Sequence, residues 1–297
     1  MHIIDDFLVW WDKNKYNFDA VFFDIDGTLI AGGQALPGAA DTLSIFRKDN
    51  IPFTLLTNDG NHSLQEKSHI LKRCGIDVSS EEIVSCSSAL KYLAQRNKYI
   101  GEKFFVMGEL GRPDFAEDAC LHVIRETKKI SECRGVIIGE GSYDWQENIN
   151  AVLNYYILNK TEGIMIVPNP DSYWPSSSKG EIGIGAGGKA RFLQAILKEY
   201  GIKIKPVYLG KPYKPVYQYA LKHLSKRFDF LKKITKKRIL MIGDSLLSDV
   251  KGANKVGFSS ALILTGISKE QHIALAKPAV YPDFIFRQLN GPCSKKK

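Results

Sequence analysis

The chain has 297 residues, 44% of them hydrophobic and 25% charged, with a formal net charge of +9. That is enough apolar material for a well-buried core, and two domains suit the length better than one. No apolar run approaches the roughly 18 residues of a membrane span. Five scattered cysteines (Cys74, Cys86, Cys120, Cys133, Cys293) form no CxxC pair. They exclude a disulfide frame or a zinc site and point to reduced thiols in an intracellular, cytoplasmic protein. Met1 to Trp11 carries Asp5 and Asp6 with no basic start, unlike a secretory signal. Much of the positive excess lies in Lys222 to Arg238 and Lys295 to Lys297. The first stretch reads as a polar helix and loop without the aromatic stacking pattern of a single-strand binder, so a solvated surface or a field for anionic substrates fits better than nucleic-acid binding.

Asn17 to Asp26 predicts the first strand. Pro37-Gly38-Ala39 opens a helix to about Asp49, with proline in a first-turn position. Ile51 to Thr57 predicts a second strand, and a helix from about Ser63 to Cys74 is closed by Gly75. Strands are expected at Phe104 to Met107, Gly135 to Ile138 and Gly163 to Val167, with helices at Pro113 to Glu126 and Trp145 to Lys160. Helix Lys189 to Tyr200 then leads to strands at Arg238 to Ile242 and Ser260 to Leu264. This rhythm predicts an α/β, Rossmann-like core with a mostly parallel sheet, built from residues 1–86 and 189–297. Residues 87–188 read as a second α/β unit inserted into it.

Polar residues recur at strand C-termini, the ligand-binding edge of open α/β sheets. Asp24-Ile25-Asp26-Gly27-Thr28 ends the first strand. Residues i and i+2 of a strand share a face, so Asp24 and Asp26 are expected to line one space. Two such carboxylates repel unless a cation lies between them, and Mg²⁺ with its oxygen preference is the natural guest. The blander alternative is that Asp-Gly simply starts a turn. Thr57-Asn58 offers a hydroxyl, an amide and backbone N–H groups for an anion; capping of the next helix by Asn58, Asp59 or Ser63 explains part of the run as well. Gly210-Lys211-Pro212 fixes a lysine on a short leash, or is an exposed loop. Asp244 follows a strand, and Asp249 falls in the first turns of the next helix; helix capping is the alternative for Asp244. Gly183 to Lys189 has P-loop-like spacing, but Ala190 stands where a serine or threonine belongs and no clear apolar strand leads in. It reads as a flexible joint. Together, the carboxylates, threonine and lysine are what metal-assisted phosphoryl transfer needs.

Asp24-Ile-Asp26-Gly-Thr28, Thr57-Asn58, Lys211-Pro212 and Gly243-Asp244 with Asp249 resemble the four motifs of haloacid-dehalogenase-type phosphatases. Pro37-Gly38-Ala39, Gly60, Asn169-Pro170-Asp171, Thr265-Gly266 and Pro282-Asp283 resemble subclass IIA. That subgroup includes 4-nitrophenylphosphatases and nucleotide, phosphoglycolate and pyridoxal phosphate phosphatases. The resemblance spans Phe18 to Leu289. It implies a C2-type cap between the second and third motifs, and a Mg²⁺-dependent phosphomonoester hydrolase of small phosphorylated metabolites. Asp24 is then the nucleophile and Asp26 the general acid and base. Thr57, Asn58 and Lys211 bind phosphate. Asp24, the Asp26 backbone carbonyl and Asp244 hold the metal, with Asp249 in support. A homodimer through the cap is a further expectation. The alternatives are a phosphotransferase or phosphomutase using the same aspartyl-phosphate, or a catalytically silent binding protein on the same fold.

Asp59 departs from the subgroup, which has asparagine there; its charge either weakens phosphate binding or points away into a cap. His62, just beyond, is a candidate for the substrate entrance. In the cap, Asn169, Asp171, Tyr173 and Trp174 are expected to set specificity, with Asp171 orienting the loop. The two aromatics either stack on a substrate ring or pack inside the cap or at a subunit interface.

Overall fold

The computed structural model describes residues 2–159, 163–175, 181–228 and 234–290. Lys160, the serine run from 176 to 178, part of the basic stretch before Arg238, Cys293 and the lysine tail lie outside them. The chain divides into two compact units. The first comprises Met1–Thr57, Lys67–Val84 and Tyr217–Lys297, the second Asn58–Glu66 and Ser85–Val216.

The first unit holds a seven-stranded sheet in the order Ile4–Asp6, Phe284–Gln288, Ser259–Ile263, Ile239–Gly243, Ala20–Phe23, Phe53–Thr57, Ile83–Ser85. The pairs with a recorded register are parallel. Its four middle strands are buried along their whole length, which is why they read as continuous apolar runs. The first of them starts at Ala20, because Lys15–Asn17 is a 3-10 turn. Pro37 stands outside its helix. Gly38 is the cap at φ +80°, and Ala39–Lys48 follows. The sheet extends further than the motifs do. Ile4–Asp6 adds an edge strand, and Phe7–Asn14 is a helix capped by the Asp6 side chain. Phe7, in that helix, meets Trp11, Phe23, Phe46 and Phe286 at ring centroid distances of 5.3–6.3 Å.

The second unit has a five-stranded parallel sheet in the order Val207–Tyr208, Ile164–Val167, Gly135–Ile138, Lys103–Met107, His122–Ile124. The expected helix from Pro113 to Glu126 is absent. Only Phe115–Asp118 is helical, and Cys120 turns left-handed at φ +59°. The chain then pairs Val123 and Ile124 with Phe104 and Phe105 as a strand, the arrangement β-branched residues favour. Helices Trp145–Leu158 and Ala186–Glu199 bury Val152, Tyr156, Ala190, Leu193 and Leu197 in this unit's core. The unit therefore extends beyond the expected segment 87–188.

The P-loop-like run is neither a joint nor a phosphate loop. Strand Ile182–Ile184 leads into it from a hairpin with Tyr173–Pro175, and Gly185 caps the helix starting at Ala186. Lys189 is buried, donates to the Gly139 carbonyl at 2.9 Å, and lies 4.9 Å from the ring centroids of Tyr143 and Trp145. Among the described residues, four cysteines are free and no helix is long and apolar enough to cross a membrane.

Candidate active site

Neighbouring strands explain how residues 220 positions apart meet. Ala20–Phe23 and Ile239–Gly243 are parallel partners with Phe23 opposite Ile242, and the Asp24 N–H still donates to the Ile242 carbonyl at 2.8 Å. Asp24 and Asp244 thus leave adjacent strand ends on one edge of the sheet. Asp249 joins them from a π-helical turn, Leu246–Val250, with its carboxylate accepting from the Ser245 N–H at 3.1 Å. Asp24, Asp244 and Asp249 are all buried, and each offers an oxygen within 4.8 Å of the others.

Glycines make the space for these carboxylates. A Cβ on Gly266 would fall 1.8 Å from Asp244 Oδ2, and one on Gly243 2.1 Å from Asp249 Cγ. Gly27, at φ +85°, would place its Cβ 2.3 Å from the same Asp244 oxygen. Asp244 caps no helix; Ser245 does, while Asp244 Oδ2 accepts from the Ile267 N–H at 2.6 Å. Thr265 donates its hydroxyl to the Gly27 carbonyl at 2.6 Å, tying the two loops together. Three buried carboxylates at such spacing repel strongly without a cation, and an all-oxygen donor set suits a hard divalent ion. The cluster fits a divalent metal.

Asp26 lies outside this group of three. The strand ends at Phe23, and the Ile25 carbonyl accepts from the N–H groups of Leu29 and Ile30 in a tight turn, so strand alternation stops before it reaches Asp26. Its side chain is 60% exposed and takes a hydrogen bond on Oδ2 from Lys67 Nζ at 2.9 Å. Lys67 escaped the sequence reading. A lysine in a polar helix gives no signal of burial, yet with Leu71 it forms the buried stripe of helix Leu64–Arg73.

Thr57 ends its strand buried in the first unit. Asn58 and Lys211 meet in the second. The Asn58 amide accepts from the Lys211 N–H at 2.8 Å and donates to the Lys211 carbonyl at 2.9 Å and to Asp171 Oδ2 at 3.0 Å. Gly210 permits this approach, since a Cβ there would come 2.5 Å from Asn58 Oδ1. Lys211 is buried and follows an edge strand of the five-stranded sheet. Asp171 also takes part in a second link: its N–H donates to Asn169 Oδ1 at 2.9 Å, and Asn169 donates to Glu140 at 2.8 Å. Burial raises the Glu140 carboxyl above its ordinary range, against the Ala186 N–H that favours its charge. Glu140 carried no motif and was missed.

The loop after Asn58 is held by its carbonyls. The Ser85 hydroxyl donates to Asp59 O at 2.6 Å, the Cys86 thiol to Asn58 O at 3.1 Å, and the Ser87 hydroxyl to Gly60 O at 3.3 Å. Burial pushes the Cys86 thiol far up, so it stays protonated as a donor. Asp59 turns its carboxylate onto the N–H groups of Asn61 and His62 and pairs with His62 Nδ1 at 2.9 Å. Ser63 and Glu66 form the reciprocal cap of the helix, so neither Asn58 nor Asp59 serves that role. Tyr173 and Trp174 lie on the hairpin, 50% and 46% exposed.

Known proteins share this organisation. Residues 21–121 match the family described as haloacid dehalogenase-like hydrolase, and residues 208–291 one described as HAD-hydrolase-like. The two cover more than half of the chain. The chain is 28% identical to a cardiolipin synthase and mitochondrial hydrolase fusion protein of Schizosaccharomyces pombe, over 83% of this chain and 48% of that one. It thus spans about half the length of that relative. It is 28% identical to a dihydroxyacetone phosphatase of Corynebacterium glutamicum, over 84% of this chain and 82% of the relative. It is 26% identical to the ribonucleotide monophosphatase NagD of Escherichia coli, over 84% and 88%. The solved structure of NagD superposes with a TM-score of 0.75 over 93% of this chain and 98% of that one, at 24% identity. The chain belongs to the haloacid dehalogenase superfamily of phosphatases, beside the NagD and 4-nitrophenylphosphatase members.

Proposed function

We propose that this protein hydrolyses a small phosphorylated metabolite through a phosphorylated Asp24, with Mg²⁺ as its metal. The observation that carries the reading is the buried all-oxygen cluster at Asp24, with an exposed carboxylate, Asp26, two residues on. An oxygen of Asp24 attacks phosphorus, and the bond to the leaving oxygen breaks as Asp26 gives that oxygen its proton. Water then attacks the phosphorylated Asp24, Asp26 takes the water's proton, and inorganic phosphate leaves with Asp24 restored. Asp24, Asp244 and the Asp26 carbonyl, with Asp249 in support, would hold Mg²⁺, which would supply the positive charge that offsets carboxylate against phosphate. Thr57 and Lys211 hold the phosphoryl oxygens. Asn58 contributes by fixing the Lys211 main chain through two amide hydrogen bonds, with a third tying the amide to Asp171.

The relatives named above act on dihydroxyacetone phosphate and on ribonucleotides by their names, which supports a phosphomonoester substrate without choosing one. Specificity then rests on the second unit. Asn169 and Asp171 are bound into its hydrogen-bond chain and set the loop, while Tyr173 and Trp174 offer exposed rings to a ring-bearing substrate. His62 is tied to Asp59 and shapes the loop after Asn58.

The test is hydrolysis of a chromogenic aryl phosphate and a panel of phosphorylated metabolites, with Mg²⁺ and after chelation. Activity is expected only with the metal, and Asp24→Asn protein of unchanged melting temperature should fall to background. Full activity after chelation, or appreciable turnover by Asp24→Asn, would overturn the reading.

A further inference from the structure

Lys67 is out of place in its helix. Leu64–Arg73 turns Lys67 and Leu71 inward at i and i+4, the positions an amphipathic helix fills with apolar side chains. A buried ammonium is costly unless a partner compensates it. The Lys67 side chain is 6% exposed, and its Nζ lies 2.9 Å from Oδ2 of Asp26, whose side chain is 60% exposed. Almost all the burial is on the lysine, so the pair is built from beneath: a cation embedded in the fold reaches up to a carboxylate at the surface.

The Asp26 backbone is fixed as well. It bridges to Ile30, and the Gly27 N–H donates to the Ile30 carbonyl at 2.8 Å. With main chain and Oδ2 both held, Oδ1 is the freer oxygen of this carboxylate. We infer that Lys67 is a positioning residue for the acid–base step: it anchors Asp26 through Oδ2 so that Oδ1 carries the proton to and from the reacting oxygen. This rests on the role proposed above for Asp26. Lys67 itself forms and breaks no bond in the reaction. A carboxylate with one oxygen pinned presents the other in a narrow range of directions, and such orientation is what proton transfer over hydrogen-bond distance requires.

The role predicts a particular kinetic pattern. Protonation matters most when the leaving group is a poor one, so an alkyl phosphate needs Asp26 more than an aryl phosphate does. Lys67→Met should lower kcat for an alkyl phosphate by on the order of 10- to 100-fold, with KM little changed, and lower it only a few-fold for the aryl phosphate. Lys67→Arg, which keeps a cationic donor, should recover most of the loss. In an Asp26→Asn background Lys67→Met should cost nothing further, because the group it positions is already gone. If Lys67→Met does not fold, Lys67→Gln, which shortens the donor arm but keeps it polar, carries the same measurements.

Equal losses for both leaving groups, a loss confined to KM, or additivity with Asp26→Asn would overturn the assignment and leave Lys67 a packing residue. The two proposals fail differently. An Asp26→Asn enzyme that hydrolyses the alkyl phosphate at the wild-type rate removes the acid–base reading and this inference with it. A slow Asp26→Asn enzyme beside a normal Lys67→Met enzyme removes the Lys67 assignment alone.

Discussion

The strand-end cluster of the first unit and the hairpin of the second use glycine in opposite ways. At the cluster, Gly266, Gly243 and Gly27 give up their side chains so that buried Asp244 and Asp249 can sit against main chain. In the hairpin, Gly183 lies under the ring of Trp174, its cross-strand partner, which is half-exposed. A group that must hold a charge at fixed distance is walled in by backbone. A group that meets varied partners is laid on a surface from which it can move. The difference separates where this molecule needs rigidity from where it tolerates adjustment.

The same substitution in both places tests the contrast most sharply. Gly266→Ala and Gly183→Ala introduce similar overlaps, 1.8 Å from Asp244 Oδ2 and 2.2 Å from a Trp174 ring carbon. Asp244 is held in place: its Oδ2 accepts from the Ile267 N–H and its carbonyl from the Ser268 N–H. Gly266→Ala should therefore reduce metal affinity or turnover by on the order of 10- to 100-fold, as disturbed metal-ligand supports commonly do. Trp174 can swing toward solvent, so Gly183→Ala should leave aryl phosphate turnover within a few-fold of wild type. Metal titration followed by steady-state kinetics separates the two. Equal effects would mean that the hairpin is as constrained as the cluster.

How much of each region was legible in the sequence follows from the same physics. The buried strands announce themselves as apolar runs, and the polar residues ending them stand out by contrast. Asp24, Asp244 and Asp249 were therefore found, and they converge. What periodicity cannot carry is which partner a side chain meets once the strand has ended, so the bond from Lys67 to Asp26 left no trace in it. Lys67 and Lys189 were missed or misplaced because a lysine's sequence signature is that of a surface, whereas both are buried. The strand His122–Ile124 was hidden because three residues are too few for a period, and a left-handed Cys120 leaves no compositional mark. The aromatic cluster around Phe7 lies outside every motif, yet it holds an edge strand of the first unit's sheet.

Removing Trp174 sharpens the contrast at smaller scale. Its ring is 46% exposed on a two-stranded hairpin where Tyr173, Ile182 and Ile184 are exposed too. Little core is lost with it, so Trp174→Ala should leave the melting temperature nearly unchanged. The ratio of kcat/KM between ring-bearing and small phosphates should fall by several-fold, about what one lost aromatic contact is worth. A uniform loss across the panel with a lower melting temperature would show instead that the ring holds the hairpin together.

The smallest expected effect is a slope, and it comes from the helix that follows the hairpin. Burial lowers the Lys189 ammonium from its ordinary 10.5 to about 8, with the attraction of Glu140 opposing that shift. Tyr143 and Trp145 stack at 5.4 Å beside it, and Nζ keeps the Gly139 carbonyl as acceptor. A base whose folded pKa lies below its unfolded one binds fewer protons when folded, so stability rises with pH between the two values. Below pH 8 both states are protonated and the full cost of burying the charge is present. Through pH 8 to 10.5 the folded protein sheds the proton first and the cost is relieved. Above that range both states are neutral. Lys189→Met removes this titration, so thermal unfolding of the variant should lose the upward component that wild type shows between pH 8 and 10.5. The level of its stability mixes lost ring and carbonyl contacts with lost desolvation, whereas the slope reports the titration alone. Parallel pH profiles for the two proteins would mean that Lys189 keeps an ordinary pKa. The cation among the rings would then be hydrated well enough to count as surface, and the second unit's core would be looser at this point than its packing indicates.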